Sequence, residues 1–347
     1  MNIARPPLRH NDVMQVWRSL DEVPRDLGPA AVTIGNFDGV HRGHQAVLER
    51  MVADARTRGM VAVAVTFDPH PKAVHDPAHQ PELVTGLTDR LERLAATGLD
   101  GTLVITYTLD FAKQTPEEFV RDYLVDGLGA ACVVTGNDTR FGRGNAGDID
   151  TMRALGEKYG FEVDVVDDAC AVSESGRRWS STWVRELLER GDLPAATEIL
   201  GRPHRLRGTV VHGDKIGRTI GFPTANIEVA EGMIPRHGVY AGWLTVVAPG
   251  PMVSTSDATA APLVGEPLPA AVSLGLNYTV GGTDLRVEAF VIDRDDLFLY
   301  DAQVTLDLIE WRRPMLDFGS MEALVAALSD DVDWCREVLD LAPPTDN

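Results

Sequence analysis

Between residues 30 and 166, short runs rich in β-branched residues recur at 31–34, 61–67, 103–106, 132–135 and 162–166. The stretches between them carry apolar residues three and four apart, as in Val47, Leu48, Met51, Val52 and Ala55. Strands alternating with helices predict an α/β domain with a doubly wound parallel sheet. One helix start is signposted: Thr115 as N-cap, Pro116 at the first helical position and Glu118 closing a capping box. Phe119, Tyr123 and Leu124 then share one face, and Gly127 lies beyond the end. Past residue 203 the period changes to two. Val210 and the runs 239–247, 271–274, 285–292 and 304–311 alternate as strands of a small antiparallel β-barrel.

The change of period divides the chain into a domain over 1–190, a linker over 191–203 and a second domain over 204–341. A short connecting helix is predicted at 193–200, an extended Pro/Ala/Ser/Thr-rich loop at 248–269, and two terminal helices at 321–328 and 332–341.

The composition, 44% hydrophobic and 24% charged over 347 residues, allows two cored domains. The net charge of -20 opposes non-specific binding to nucleic acid or to an anionic membrane, so any phosphate ligand needs a local basic patch. Three widely spaced cysteines, Cys132, Cys170 and Cys335, form no disulfide framework or zinc pattern. With no targeting segment and no long apolar run, the expectation is a soluble cytoplasmic protein with small-molecule partners. Transient self-association is the one macromolecular contact left open.

The densest run is residues 32–48, a strand, a turn and a helix start with Gly35, Gly39 and Gly43 at the bend and His41 and His44 three apart. Helix N-termini favour anions, so the two histidines can act there on a phosphate chain. The second strand runs into Phe67-Asp68-Pro69-His70-Pro71, where two prolines are expected to stop the strand and fix a polar loop. The glycines Gly142, Gly144 and Gly147 start too late after their strand for a dinucleotide fingerprint. Ser180, Ser181 and Thr182 precede Arg185 at another helix start, where hydroxyls either cap the helix or bind phosphate while the arginine adds bidentate charge.

The run Gly35-Asn36-Phe37-Asp38-Gly39-Val40-His41-Arg42-Gly43-His44 resembles the flavin-adenylylating branch of the nucleotidylyltransferase superfamily. The Asp68 loop matches the same branch. Gly136 to Gly142 resembles its Gly-x-Asp-Phe-Arg-Phe-Gly loop, with Asp138 and Arg140 kept and Thr139 replacing an aromatic. Residues 180–185 resemble the superfamily's second phosphate motif. The resemblance implies a Rossmann-like domain that binds ATP and FMN through Gly35, Asn36, Phe37, Asp38, Gly43, Asp68, Asp138, Arg140, Ser180, Ser181 and Thr182. His41, His44 and Arg185 would be its catalytic groups.

In the C-terminal half, residues 213–226 are not a P-loop, because Asp214 stands where the Walker lysine belongs. The run resembles the riboflavin kinases, above all in Pro223-Thr224-Ala225-Asn226. Thr224 and Asn226 face one side of an extended segment and offer hard oxygens suited to Mg²⁺. Glu288 lies opposite Val287 and Ala289. By alternation alone it is a solvent-facing glutamate, whereas the resemblance makes it the catalytic base. Gly213, Lys215, Gly217, Arg218, Pro223 and Asn277 are the further binding residues the resemblance implies. Asp301 stands where the family has glycine, and no proline follows Asn277.

The resemblance spans residues 32–318 and implies a bifunctional enzyme of FAD biosynthesis. ATP would phosphorylate riboflavin to FMN in the barrel, and a second ATP would adenylylate FMN to FAD, with release of pyrophosphate, in the N-terminal domain. The rival readings are an FMN adenylyltransferase alone, another nucleotidylyltransferase with an unrelated barrel, and a flavin-binding module with an impaired kinase half. A class I aminoacyl-tRNA synthetase fits poorly, since the chain is short and acidic.

Overall fold

A computed structural model describes residues 13–166, 176–213, 217, 220–250, 264–279, 282–294 and 297–341. The chain divides into two compact units, Met1–Ser181 and Thr182–Asn347.

The N-terminal unit is built on six parallel strands: β1 (Gln15–Trp17), β2 (Ala30–Ile34), β3 (Val61–Asp68), β4 (Gly101–Thr106), β5 (Ala130–Gly136) and β6 (Glu162–Val166). They lie in the order β1-β4-β3-β2-β5-β6. Alternate residues feed two cores. Val32, Val63, Val65, Leu103 and Val133 pack on one face with Phe119 and Leu124. Ala31, Ala62, Ala64, Cys132 and Val134 pack on the other with Leu48 and Met51 of helix α1 (Arg42–Arg58). The order reverses between β2 and β5, the place where open α/β sheets collect ligands at their carboxyl ends.

All five predicted strands are present. β1 was not predicted: it is only three residues long and is specified by a distant position, since Trp17 fills the space a side chain at Gly101 would need. The two prolines after β3 do different work. The Asp68-Pro69 peptide is cis, while Pro71 opens a short helix, α2 (Pro71–His75), capped by His70. Helix α3 (Leu87–Ala95) follows. The capping box at Thr115 and Glu118 is formed, and α4 (Pro116–Phe119) continues as a π-helical turn, Val120–Val125. Helix α5 (Ile149–Tyr159) leads into β6.

Helices α6 (Ser181–Arg190) and α7 (Leu193–Leu200) lead into a closed barrel. Its strands are β7 (His204–Val211), β8 (Thr224–Glu231), β9 (Gly238–Ala248), β10 (Pro267–Thr279), β11 (Gly282–Val291) and β12 (Gln303–Arg313), joined in the order β10-β11-β8-β7-β12-β9. The fold is therefore the expected doubly wound sheet plus antiparallel barrel. Much of the predicted loop at 248–269 lies outside the described residues, and β10 already begins at Pro267.

The two terminal helices are one, α8 (Met321–Val338). Ser329 donates its hydroxyl to the Val325 carbonyl within the helix, so it does not break it. Asp331, 2% exposed, turns inward to accept from Arg313 Nε at 3.0 Å and to face Arg312 Nε at 3.1 Å. The acidic Ser-Asp-Asp break in the pattern is thus a buried tie to β12. No helix among the described residues is long and apolar enough to cross a membrane. Replacing Asp331 by alanine strands two arginines and is expected to lower the stability of the C-terminal unit by about 3 kcal/mol, read by denaturant unfolding of the full chain. Unfolding identical to the parent would contradict the tie.

Candidate active sites

In the N-terminal unit the site is a backbone turn held in place by side chains. β2 ends at Ile34, and Gly35 keeps its N–H on the Val65 carbonyl. A side chain at Gly35 would meet the Phe37 ring at 3.0 Å. The chain then takes left-handed conformations at Phe37 (φ 49°), Gly39 (φ 79°) and Val40 (φ 39°), uncommon for an aromatic and a β-branched residue. Five hydrogen bonds hold it there. The Asn36 carbonyl accepts from Thr66 Oγ1 at 3.2 Å and from Arg90 Nη1 at 2.9 Å. Asp38 Oδ1 accepts the Thr85 N–H at 3.0 Å, and the Gly39 N–H donates to Thr85 Oγ1 at 2.9 Å. Ser181 Oγ donates to the Asp38 carbonyl at 2.8 Å.

The turn delivers His41 to the N-cap of α1, where its Nδ1 accepts the His44 N–H at 3.3 Å. Acceptance at Nδ1 assigns the His41 proton to Nε2. Gly43 occupies the helix's first turn. The two imidazoles stack with centroids 3.7 Å apart and planes at 21°, and Phe37 lies edge-on to His44 at 5.4 Å. Burial first, then His41, then the Arg178 guanidinium hold the His44 pKa well below its ordinary value. Two cations at that spacing would repel by roughly 4 kcal/mol at an effective dielectric of 20, so the pair does not carry two protons near neutrality. His44 Nδ1 is buried and has no hydrogen-bond partner among the described residues.

The other predicted residues are placed by their own elements. Asp138, after β5, forms an ion pair at 2.9 Å with Arg178. Ser181 is bonded to the turn, and Ser180 immediately precedes it at the start of α6. Asp68, at the end of β3, lies 3.9 Å from Arg90 Nη2. Arg140 is exposed and donates to the Thr139 carbonyl at 3.2 Å. The Thr139 hydroxyl, in place of an aromatic, bonds to the Thr135 hydroxyl. Thr182 and Arg185 occupy the opening turns of α6, with Arg185 one turn on from Ser181. The carboxylate of Asp38, 3% exposed, faces the protein and serves the turn.

Sequence reading missed Arg90 and Thr85. Arg90 is 1% exposed, and its Nη1 also faces the Phe67 carbonyl at 3.1 Å. It sits in a run of alternating charges that reads as a solvated helix face, with only its four-residue spacing from buried Leu94 to mark it.

In the barrel the site follows from strand register. β8 and β11 are antiparallel with Asn226 opposite Glu288 and Thr224 opposite Phe290, so Thr224, Asn226 and Glu288 share one face. Val287 and Ala289, on the other face, are buried. Beyond β7, a side chain at Gly213 would lie 2.2 Å from Asn226 Nδ2, and one at Gly217 would be 3.4 Å from Thr224 Oγ1. Glycine at 213 lets the backbone lie directly against Asn226, while glycine at 217 is required by the Phe222 carbonyl, 2.2 Å from where a Cβ would stand. Gly213, Gly217, Pro223, Thr224 and Asn226 line one cleft, which Arg294 and Tyr300 also border. The Tyr300 ring stacks on His212 at 4.0 Å. Glu288 does not line that cleft; it stands beside Asn226 across the strand pair.

Asn277 lies within β10, paired with Asp284. Its hairpin position is four residues along from that of Glu288, on the order of 13 Å, because the β10–β11 pairing continues to Thr279. Lys215 and Arg218 lie outside the described residues.

Two family models match the chain, FAD synthetase over residues 23–183 and riboflavin kinase over 200–339. The bifunctional riboflavin kinase/FMN adenylyltransferase of Escherichia coli K12 is 34% identical over 326 residues, covering 94% of this chain and 97% of the relative. Its counterpart in Listeria monocytogenes is also 34% identical, covering 93% and 94%. A crystal structure from Streptococcus pneumoniae, described as a macrolide-efflux protein, superposes with a TM-score of 0.78 at 26% identity, covering 94% of this chain and 99% of that one. With one of these models on each half and curated relatives matching nearly end to end, the chain belongs to the bifunctional riboflavin kinase/FMN adenylyltransferase family.

Proposed function

We propose that the chain converts riboflavin to FAD in two steps, phosphorylation to FMN within residues 204–341 and adenylylation of FMN within residues 1–190. The observation that carries the reading is that the two family matches fall on different units, each with a phosphate-suited site of its own. ATP is the nucleotide in both steps. The reading places the enzyme in the cytoplasm, a reducing compartment supplied with ATP, which suits the buried free thiols of Cys132 and Cys335. The net charge of -20 argues against a nucleic-acid partner.

In the barrel, Thr224 and Asn226 offer hydroxyl and amide oxygens on one face, a donor set that fits Mg²⁺, and the glycine cradle beneath them keeps the approach open. Bound there, Mg²⁺ would orient and screen the triphosphate. Glu288 takes the proton of the riboflavin 5′-hydroxyl as that oxygen attacks the γ-phosphorus, ADP leaving with the bonding pair. Gly213, Gly217 and Pro223 shape the cleft, and Lys215, Arg218 and Asn277 complete the set drawn from the family motifs.

In the N-terminal unit, an FMN phosphate oxygen attacks the α-phosphorus of ATP and pyrophosphate departs. The nucleophile is already anionic, so catalysis is positioning plus charge stabilisation. His41 and His44 offer ring N–H groups beside the α1 N-terminus, and Arg185, with Ser180, Ser181 and Thr182, supplies a second phosphate anchor. The carbonyl-rich turn of Gly35, Asn36, Phe37 and Asp38 bounds the nucleotide, while Asp68, Asp138 and Arg140 lie on the neighbouring strand ends.

Incubation with riboflavin, ATP and Mg²⁺, with flavins separated over time, should show FMN rising before FAD; accumulation of neither refutes the reading. Removing Mg²⁺ with EDTA should abolish FMN formation, restored on re-addition.

His44→Ala should reduce FAD formation roughly a hundredfold, about 3 kcal/mol at the transition state, while FMN formation persists. Glu288→Ala should reduce riboflavin phosphorylation roughly 10²- to 10⁴-fold and leave adenylylation of supplied FMN intact. Equal loss of both activities in either folded variant contradicts separate sites.

His44 also sets a pH dependence. Its folded pKa lies below the unfolded 6.5, so the unfolded state binds the extra proton between the two values. That stability is present above about pH 6.5 and is lost as pH falls through the folded pKa. Thermal unfolding followed from about pH 7.5 to about pH 5 should show a steeper decline in the parent than in His44→Gln. Parallel curves would remove His44 from this role.

A further inference from the structure

Arg90 has no role in the family motifs identified in this sequence, yet its guanidinium is the point where three segments of the N-terminal site meet. It rises from α3, 1% exposed, and its Nη1 lies 2.9 Å from the Asn36 carbonyl, 3.1 Å from the Phe67 carbonyl and 3.4 Å from Thr66 Oγ1. Nη2 stands 3.9 Å from Asp68 Oδ1. Asn36 opens the turn that ends on His41, while Phe67 and Asp68 close the neighbouring strand. The same Asn36 carbonyl takes its second hydrogen bond from Thr66. Fixing that carbonyl fixes the peptide leading into left-handed Phe37, and so the path by which the chain reaches the stacked imidazoles.

We propose that Arg90 is a positioning residue for adenylyl transfer, clamping the histidine-bearing turn and the Asp68 strand end into one rigid rim. It touches neither nucleotide nor flavin. It acts by holding His41 and His44 at the spacing that fits the departing pyrophosphate. A preorganised donor loses its value if the backbone beneath it drifts, so the effect falls on kcat for FAD formation more than on KM for ATP.

The inference rests on the adenylyltransferase reading, and the experiment keeps the two apart. FAD formation from FMN and ATP, and FMN formation from riboflavin and ATP, are measured in the parent, Arg90→Met, Arg90→Lys and Thr66→Val, at a temperature well below the unfolding of each. Absence of FAD formation in the parent sinks the underlying reading and the inference with it. With an active parent, Arg90→Met is expected to lower kcat for FAD formation by roughly 10- to 100-fold, the range for losing a charge-assisted hydrogen bond, with KM for ATP changed less. Arg90→Lys, which keeps the charge and part of the bonding, should recover much of that loss. Thr66→Val, isosteric but without the second donor to Asn36, should lower kcat in the same direction by a few-fold. FMN formation should be unchanged throughout.

If Arg90→Met does not fold, the Lys and Val variants decide. Melting temperatures that fall while kcat stays within about twofold of the parent mean a purely structural residue, and so does a KM rise at constant kcat; either overturns the proposal.

Discussion

The N-terminal site depends on one constraint: the peptide from Asn36 to His41 must run through backbone space that side chains normally avoid. Phe37 and Val40 in left-handed conformations cost on the order of 1–2 kcal/mol each. The five hydrogen bonds from Arg90, Thr66, Thr85, Gly39 and Ser181 contribute about 1 kcal/mol apiece, and two of their partners are charged side chains. The tethers outweigh the strain, so the turn is held and the stacked histidines at its end are fixed in place. This over-determination also explains why a carboxylate as conspicuous as Asp38 is buried against Thr85.

The barrel reaches the same end by a different route. Its proposed residues are set by pairing register, and register on a half-buried strand is stiff, because a slip of one residue would exchange Glu288 and Asn226 for Ala289 and Ala225. Glycines then clear the space above. Gly213 passes so close to Asn226 that a side chain there would overlap its amide, and one at Gly217 would run into the Phe222 carbonyl just before Thr224. One unit fixes donors by tying down a loop, the other by locking two strands.

What the sequence disclosed follows from the range of the interactions involved. Strands β2 to β6, the capping box at Thr115 and the period-two barrel rest on local patterns, and they were legible. So were His41 and His44, since a strand, a glycine turn and a helix start are contiguous. β1 was not, because Trp17 is placed by Gly101, far along the chain. The join in α8 was hidden because Asp331, polar in any pattern, is satisfied by Arg312 and Arg313 of strand β12. Arg90 escaped for the same reason: a buried cation looks like a surface one until its carbonyl partners, 54 and 23 residues away, are seen.

Long-range partners also resolve the tension between an acidic chain and anionic substrates. Exposed charges are screened over about 8 Å at physiological ionic strength, so most of the surplus of 20 negative charges is not felt inside a cleft. The N-terminus of α1 acts through protein instead, where screening is weak. Burial that keeps His44 neutral belongs to the same balance: two stacked imidazolium rings would repel each other, whereas a neutral His44 avoids that cost and leaves the positive potential to the helix N-terminus and to the nearby Arg178.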